Sequence, residues 1–195
     1  MNLQGLQDLQ ARDEDTGLIH VVIDTPKGSR NKFKFEPRLG LFRLGKVLPL
    51  GAYFPYDFGY IPSTLGQDGD PVDVLVLMDE PAFPGCVVGV RLIGVIQAEQ
   101  TQEGKTVRND RLLGVLETPY NKPPVRSLEE LPASQVGELE HFFISYNQAE
   151  GRKFRPLARK GPEVADALVR EGERQFQESK GRRERQPAAV GGNGA

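Results

Sequence analysis

The chain has a single cysteine, no tryptophan and two histidines among 195 residues, and each scarcity removes a class of chemistry. One thiol, Cys86, cannot close an intramolecular disulfide and cannot by itself seed a thiolate metal site. It sits within an apolar run, the setting of an inert packed thiol. His20, at an apolar strand start, and His141, within "LEHFF", have no second His or Cys nearby, so both are read as packing or surface imidazoles. No apolar stretch is long enough to span a membrane. The opening "MNLQGLQDLQARDEDTG" lacks the basic flank and apolar block of a secretory or transit signal, so the cytoplasm is the expected location. A surplus of either charge is missing too: 25 basic and 27 acidic residues leave a net charge of -2. That balance lacks the electrostatic footprint of a general nucleic-acid binder. There is no P-loop and no internal repeat.

What is present is a β-rich pattern. The runs "LIHVVIDTP", "KFKFE", "YFPYDFGYI", "VDVLVLM", "GCVVGVRLIGVI" and "RLLGVLE" follow one another, separated by Gly, Pro, Asp and Asn. In "KFKFE", Lys32 and Lys34 alternate with Phe33 and Phe35, so amines and rings go to opposite faces. The run from Gly85 to Ile96 is long for a strand, and Gly89 and Gly94 would let it bend around a small closed barrel. Two helices are expected after the strands. One follows the capping signal "SLEE" at 127–130 and carries Val136, Leu139, Phe142, Phe143 and Tyr146; the other runs from about Glu163 to Glu178. Leu3, Leu6 and Leu9 suggest a short N-terminal helix. Strands followed by helices, without alternation, predict an α+β, mainly β domain over 18–180. Residues 1–17 are read as an extension, and 181–195 as a disordered tail.

The stretch "LGQDGDPVDVLVLM" carries the chemistry. Asp68 and Asp70 share one face of an extended chain and Asp73 the other, so Gly69 and Pro71 must bend the backbone for the three to converge. "QDGDP" alone is an ordinary turn composition. Asp73, however, lies among apolar neighbours, where a carboxylate is costly unless it is paired or bound to a cation. Carboxylates without His or Cys are hard oxygen ligands suited to Mg²⁺, with Mn²⁺ as the alternative, and such ions are commonly shared with phosphate. An EF-hand loop fits poorly, because its sixth position would be Asp73 instead of Gly.

With "DGDPVDVLV" in place, the chain resembles the soluble inorganic pyrophosphatases of family I. The similarity extends through "VVIDTPKGSRNKFKFE", "YFPYDFGYIPSTLGQDGDPVDVLVL", "PGCVVGVRLIGV" and "LEHFFISYNQAEGRKF", roughly residues 18 to 180. The resemblance implies an OB-like five-stranded closed β-barrel with flanking helices, usually a homo-oligomer. It implies hydrolysis of pyrophosphate to two phosphates by a water held between Mg²⁺ ions. Carried over by motif, Asp68 and Asp73 would be metal ligands and Asp70 the general base, while Lys32, Lys46, Arg111 and Tyr146 would hold the leaving phosphate.

The departures from the family pattern fall on these positions. Asp24 replaces the usual glutamate as a further ligand candidate, and Lys46 replaces an arginine, losing the bidentate fork. Lys34 stands where a glutamate is usual, Phe58 where a tyrosine is usual, and Asn147 where a lysine is usual. In "AEQTQEGKTVRNDRLLGV", Asn109 and Arg111 take the places of the family's Asp-x-Lys. Glu99 or Gln100 lies near an earlier aspartate, and Asp110 falls one residue out of register. A neutral Asn109 would bind Mg²⁺ far more weakly than a carboxylate. Two readings follow: a divergent enzyme acting on pyrophosphate or a related phosphoanhydride, and a homologue that kept the scaffold as a phosphate-ligand or protein-binding module. Single-stranded nucleic-acid binding through "NKFKF" and "YFPYDFGY" is opposed by the near-neutral charge and the retained aspartates.

Overall fold

Period-two apolar patterns bounded by turn residues become strands in this computed structural model, which describes residues 5, 6 and 8–185. The strands are β1 Ile19–Thr25, β2 Asn31–Glu36, β3 Leu41–Val47, β4 Asp57–Tyr60, β5 Asp73–Leu77, β6 Val87–Gln102, β7 Lys105–Arg108, β8 Arg111–Leu116 and β9 Lys153–Lys160. The helices are α1 Ala133–Gln148 and α2 Pro162–Arg185.

The closed five-stranded barrel expected from the sequence is not what forms. Seven strands make a mixed, mostly antiparallel sheet in the order β1-β4-β5-β8-β6-β7, with β9 also on β6, and β5 runs parallel to β8. Because β1 pairs with β6 as well, from Ile19 opposite Val90 to Val22 opposite Val87, hydrogen bonding among β1, β4, β5, β8 and β6 returns on itself like a ring. A closed barrel would leave no edge. Here the 16-residue β6 runs on beyond the ring to pair with β7 and β9, so the sheet continues outward. Within β6 the register with β8 shifts between Leu92 and Gly94. A side chain at Gly94 would collide with the Lys160 carbonyl and Leu128.

Alternation sorts the core into two layers. Leu75 on β5 joins Phe54, Phe58, Leu113, Leu139 and Phe143 beneath α1, whereas Val74 and Val76 join Ile23, Ile61, Leu112, Ala165 and Val169 beneath α2. Each fully buried large side chain stabilises the fold by about 1.5–3 kcal/mol. Helix α1 begins later than "SLEE" suggested. Ser127 caps only a short 3-10 turn, Leu128–Glu130, because Leu131, preceding Pro132, is extended. Val136, Leu139, Phe143 and Asn147 then form its buried stripe.

Helix α2 outlasts its apolar pattern. Ion pairs one turn apart, Asp166 with Arg170 and Arg174 with Glu171 and Glu178, support its exposed face. Residues 181–185 of the expected tail are therefore helical, and 186–195 lie outside the described residues. Of the N-terminal leucines, Leu3 also lies outside them, and residues 8–18 contain turns and one bridge, Arg12 to Ile19, in place of a regular helix.

Standing off the main sheet, β2 and β3 form a two-stranded ribbon. Its register sets Lys32 opposite Lys46 and Lys34 opposite Arg43. Like charges directly across a ladder destabilise it, so this ribbon is arranged for something other than its own stability.

Candidate active site

Four carboxylates are held by the sheet and its turn. Asp24 is the penultimate residue of β1 and Asp73 the first of β5, where it lies opposite Tyr60. Asp68 sits in a turn closed by Gly66 N–H to the Asp70 carbonyl at 2.7 Å, and Asp68 Oδ1 accepts the Asp70 N–H at 3.2 Å. Gly69 adopts φ +87° there, the left-handed bend that the motif required. Asp24, Asp68, Asp70 and Asp73 thereby line one open cavity of about 990 Å³. Asp24 is 6% exposed, and its Oδ1 is buried without a hydrogen-bond partner among the described residues. Burial pushes its carboxyl up to about 6, against the pull of Lys32. Burial first, then the neighbouring Asp73, also pushes Asp68 above the ordinary carboxylate range.

Cations face these acids from the ribbon and from the sheet. Lys34 Nζ donates to Asp70 at 2.9 Å, and that bond raises the Lys34 pKa. Arg111, the first residue of β8 and 5% exposed, places Nη1 2.7 Å from Asp73 Oδ2. The same nitrogen donates to Asn109 Oδ1 and, at 3.1 Å, to the Asp110 carbonyl. The Phe143 and Phe154 rings lie 5.2 and 5.8 Å from its guanidinium carbon. Lys32 Nζ rests 4.1 Å from the Phe58 ring centroid, so the phenylalanine standing in place of a tyrosine supports an amine through its π face. Lys46 is ion-paired with Glu150 and lies 4.9 Å from the Tyr146 ring; burial outweighs Glu150 and lowers the Lys46 pKa. Tyr146 is pushed well above the phenol range, by burial and then by Glu150, and keeps its proton.

Not every predicted residue joins this constellation. Asp110 accepts the Ala98 N–H at 2.8 Å and the Arg108 guanidinium, bonds that tie β7 to β6, and it lines only a side pocket of about 70 Å³ beside Asp68 and Asp73. Asn109 faces the main cavity, with its amide nitrogen donating to Gln100 at 3.0 Å. Glu99 is paired with Arg155 at 2.6 Å.

Sequence reasoning passed over Glu150, which balances Lys46; its position four residues after Tyr146 was the available signal. It also passed over Tyr60, whose hydroxyl is buried without a partner among the described residues, as is Asn147 Oδ1. Both line the cavity. Cys86, expected to be buried, is half-buried.

Comparison with known proteins agrees with this arrangement. The "Inorganic pyrophosphatase" family profile matches residues 21–177. The inorganic pyrophosphatase of Thermus thermophilus is 36% identical over 151 residues, 77% of this chain and 84% of that protein. The one from Synechocystis is 38% identical over 155 residues, 80% and 89% of the two chains. The crystal structure of the Thermus thermophilus inorganic pyrophosphatase superposes with a TM-score of 0.79 at 32% identity, covering 88% of this chain and 98% of that one. The structure of an inorganic pyrophosphatase from Neisseria gonorrhoeae gives 0.78 at 28% identity, covering 88% and 98%. With the profile spanning the aspartate turn, both cavity walls and α1, the chain belongs to the inorganic pyrophosphatase family.

Proposed function

We propose that this chain hydrolyses inorganic pyrophosphate to two phosphates, with Mg²⁺ as cofactor and Asp70 as general base. The observation that carries this reading is the single cavity onto which four carboxylates and the Lys32, Lys46, Arg111 and Tyr146 side chains all face. The reaction needs both sets: a base for the attacking water, and positive charge for the bridging oxygen as the P–O bond breaks.

The fit of Mg²⁺ is limited but real. Mg²⁺ commonly takes one or two carboxylates, leaving its other positions to water and substrate oxygens. Asp68 and Asp73, with the unpartnered Asp24 oxygen behind them, fit that pattern. A larger cage does not fit: among the described residues no three acidic, His or Cys side chains are grouped closely enough to hold an ion. When bound, the ion supplies neutralisation of phosphate oxygens and a lowered water pKa. Asp70, exposed and tethered by Lys34, takes the proton of the attacking water. The phosphate that departs is received by Lys32 and Lys46 from the ribbon and Arg111 from the sheet, with the Tyr146 hydroxyl donating. Asn109 and Asp110, already engaged within the sheet, are left out of the ligand set.

Residues 18–180 are read as the domain that does this. In the cell it is assigned to the cytoplasm as a homo-oligomer, since Leu39, Leu41, Leu44 and Leu50 leave the ribbon region with exposed apolar side chains; light scattering of the purified chain checks the assembly. No described helix is long and apolar enough to cross a membrane.

A second reading, ligand binding with most catalysis lost, is favoured by the Lys34–Asp70 and Arg111–Asp73 pairs, which occupy two of the four carboxylates. Phosphate release from Mg-pyrophosphate separates the two. Metal-dependent release that disappears in Asp70→Asn supports hydrolysis; no release even at high protein concentration leaves only binding.

A further inference from the structure

We propose that Lys34 and Arg111 are resident counter-ions to Asp70 and Asp73, so that this cleft takes up pyrophosphate without a divalent cation and admits at most one such ion per chain. This rests on the reading of the cleft as a pyrophosphate site, and goes further by assigning its charge balance to the protein.

Four acids crowded at a cavity wall demand positive charge from somewhere. Here two of them already have it, at 2.9 Å from Lys34 and 2.7 Å from Arg111. Six basic and five acidic side chains line the cleft, so it is close to neutral before any ligand arrives. A divalent ion bound about 2.1 Å from Asp73 Oδ2 would stand no more than about 5 Å from the Arg111 guanidinium, which is held by Asn109 as well and cannot swing away without abandoning both. Asp24 and Asp68 remain without such an ion pair among the described residues, and with the Asp73 oxygen that Arg111 does not hold they leave room for one ion, not several.

The unspent donors point the same way. Arg111 Nε is buried without a partner among the described residues although the side chain is 5% exposed. The Arg111 side chain lines the cleft with its hydrogen-bonding capacity unfilled, and a phosphate oxygen is the acceptor that best matches its planar fork. The ribbon contributes Lys32 opposite Lys46 and Lys34 opposite Arg43, repulsive pairings that a bound polyanion relieves. The ligand class is thus a small phosphoanhydride met by Lys32, Lys46 and the remaining Arg111 donors, while Lys34 and the Arg111–Asp73 pair keep the aspartates from repelling it.

The test is calorimetry on the full chain, using methylenediphosphonate as the non-hydrolysable probe. In EDTA the probe is expected to bind saturably at one per chain, and Mn²⁺ titrated into metal-free protein is expected to reach at most one per chain. Lys34→Glu, at a side chain 67% exposed and therefore tolerated by the fold, should weaken metal-free probe binding roughly 10- to 100-fold and raise the Mn²⁺ uptake. Arg111→Met should weaken the probe comparably, provided circular dichroism shows native structure. Probe binding that requires Mg²⁺, two or more Mn²⁺ per wild-type chain, or a Lys34→Glu variant indistinguishable from wild type would each overturn the assignment. Metal-free probe binding with no phosphate release from Mg-pyrophosphate would overturn hydrolysis and leave the counter-ion assignment standing.

Discussion

The sheet wall and the β2–β3 ribbon line the same cleft with opposite construction. On the sheet wall, Asp24 and Arg111 are 6% and 5% exposed, on strands whose other residues fill the core. On the ribbon, most of β3 is exposed, and Lys34 reaches across 36 residues of sequence to an exposed Asp70. A buried wall fixes the positions of its charges through packing. A solvated ribbon supplies charge whose geometry is set by whatever it meets. The carboxylates proposed to place a proton or an ion lie on or beside the first kind of wall; the lysines proposed to neutralise phosphate lie on the second.

The largest effect should come from removing the proposed base. Asp70→Asn is expected to lower phosphate release by about 10²- to 10⁴-fold while leaving the thermal midpoint unchanged, because the side chain is exposed; a large drop in melting temperature would mean the turn itself had been broken. Stability should then distinguish the walls directly. Leu75→Ala or Leu113→Ala, both fully buried beneath α1, should cost about 2–5 kcal/mol in denaturant unfolding, whereas Leu44→Ala on the ribbon should stay within about 0.5 kcal/mol. Equal costs at the two sites would erase the contrast.

Next comes pH. The Asp24 carboxyl is raised from 3.8 to about 6 by burial, so the native state holds its proton more tightly than the unfolded chain. The contribution is favourable below pH 4, is lost as pH rises through 6, and stays lost above. The full swing is roughly 3 kcal/mol in metal-free buffer. Asp24→Asn should flatten the decline of stability between pH 4 and 7; an unaltered slope would assign it to another group. The smallest catalytic effect belongs to the ribbon. Lys46→Met should raise KM about ten-fold with kcat little changed, since Lys46 is one of several amines and is already shared with Glu150.

Much of the element content was legible because period and punctuation are local. The alternation in "VDVLVLM" and the α1 stripe of Val136, Leu139 and Phe143 reappear as two faces of core. The aspartate turn was legible for the same reason, with Gly69 bending as the motif demanded. The closed barrel failed because closure is a property of edges, and nothing local in "GCVVGVRLIGVIQAEQTQ" says that β6 will continue past the ring to carry β7 and β9. At the site, Lys34 and Arg111 were visible as departures from a pattern, but their partners lie 36 and 38 residues away and were not. Glu150 was missed because its partner Lys46 is 104 residues distant.

Residue chemistry alone therefore decided that carboxylates would gather at the mouth of an apolar strand and that positive charge would have to answer them, because burying unpaired anions is too costly in any fold. Which positive charges answer was decided only in three dimensions. Ion pairs form between side chains brought within a few ångströms by strand register and ribbon docking, and the energy of a charge depends on that distance and on the burial around it, quantities that no linear spacing contains.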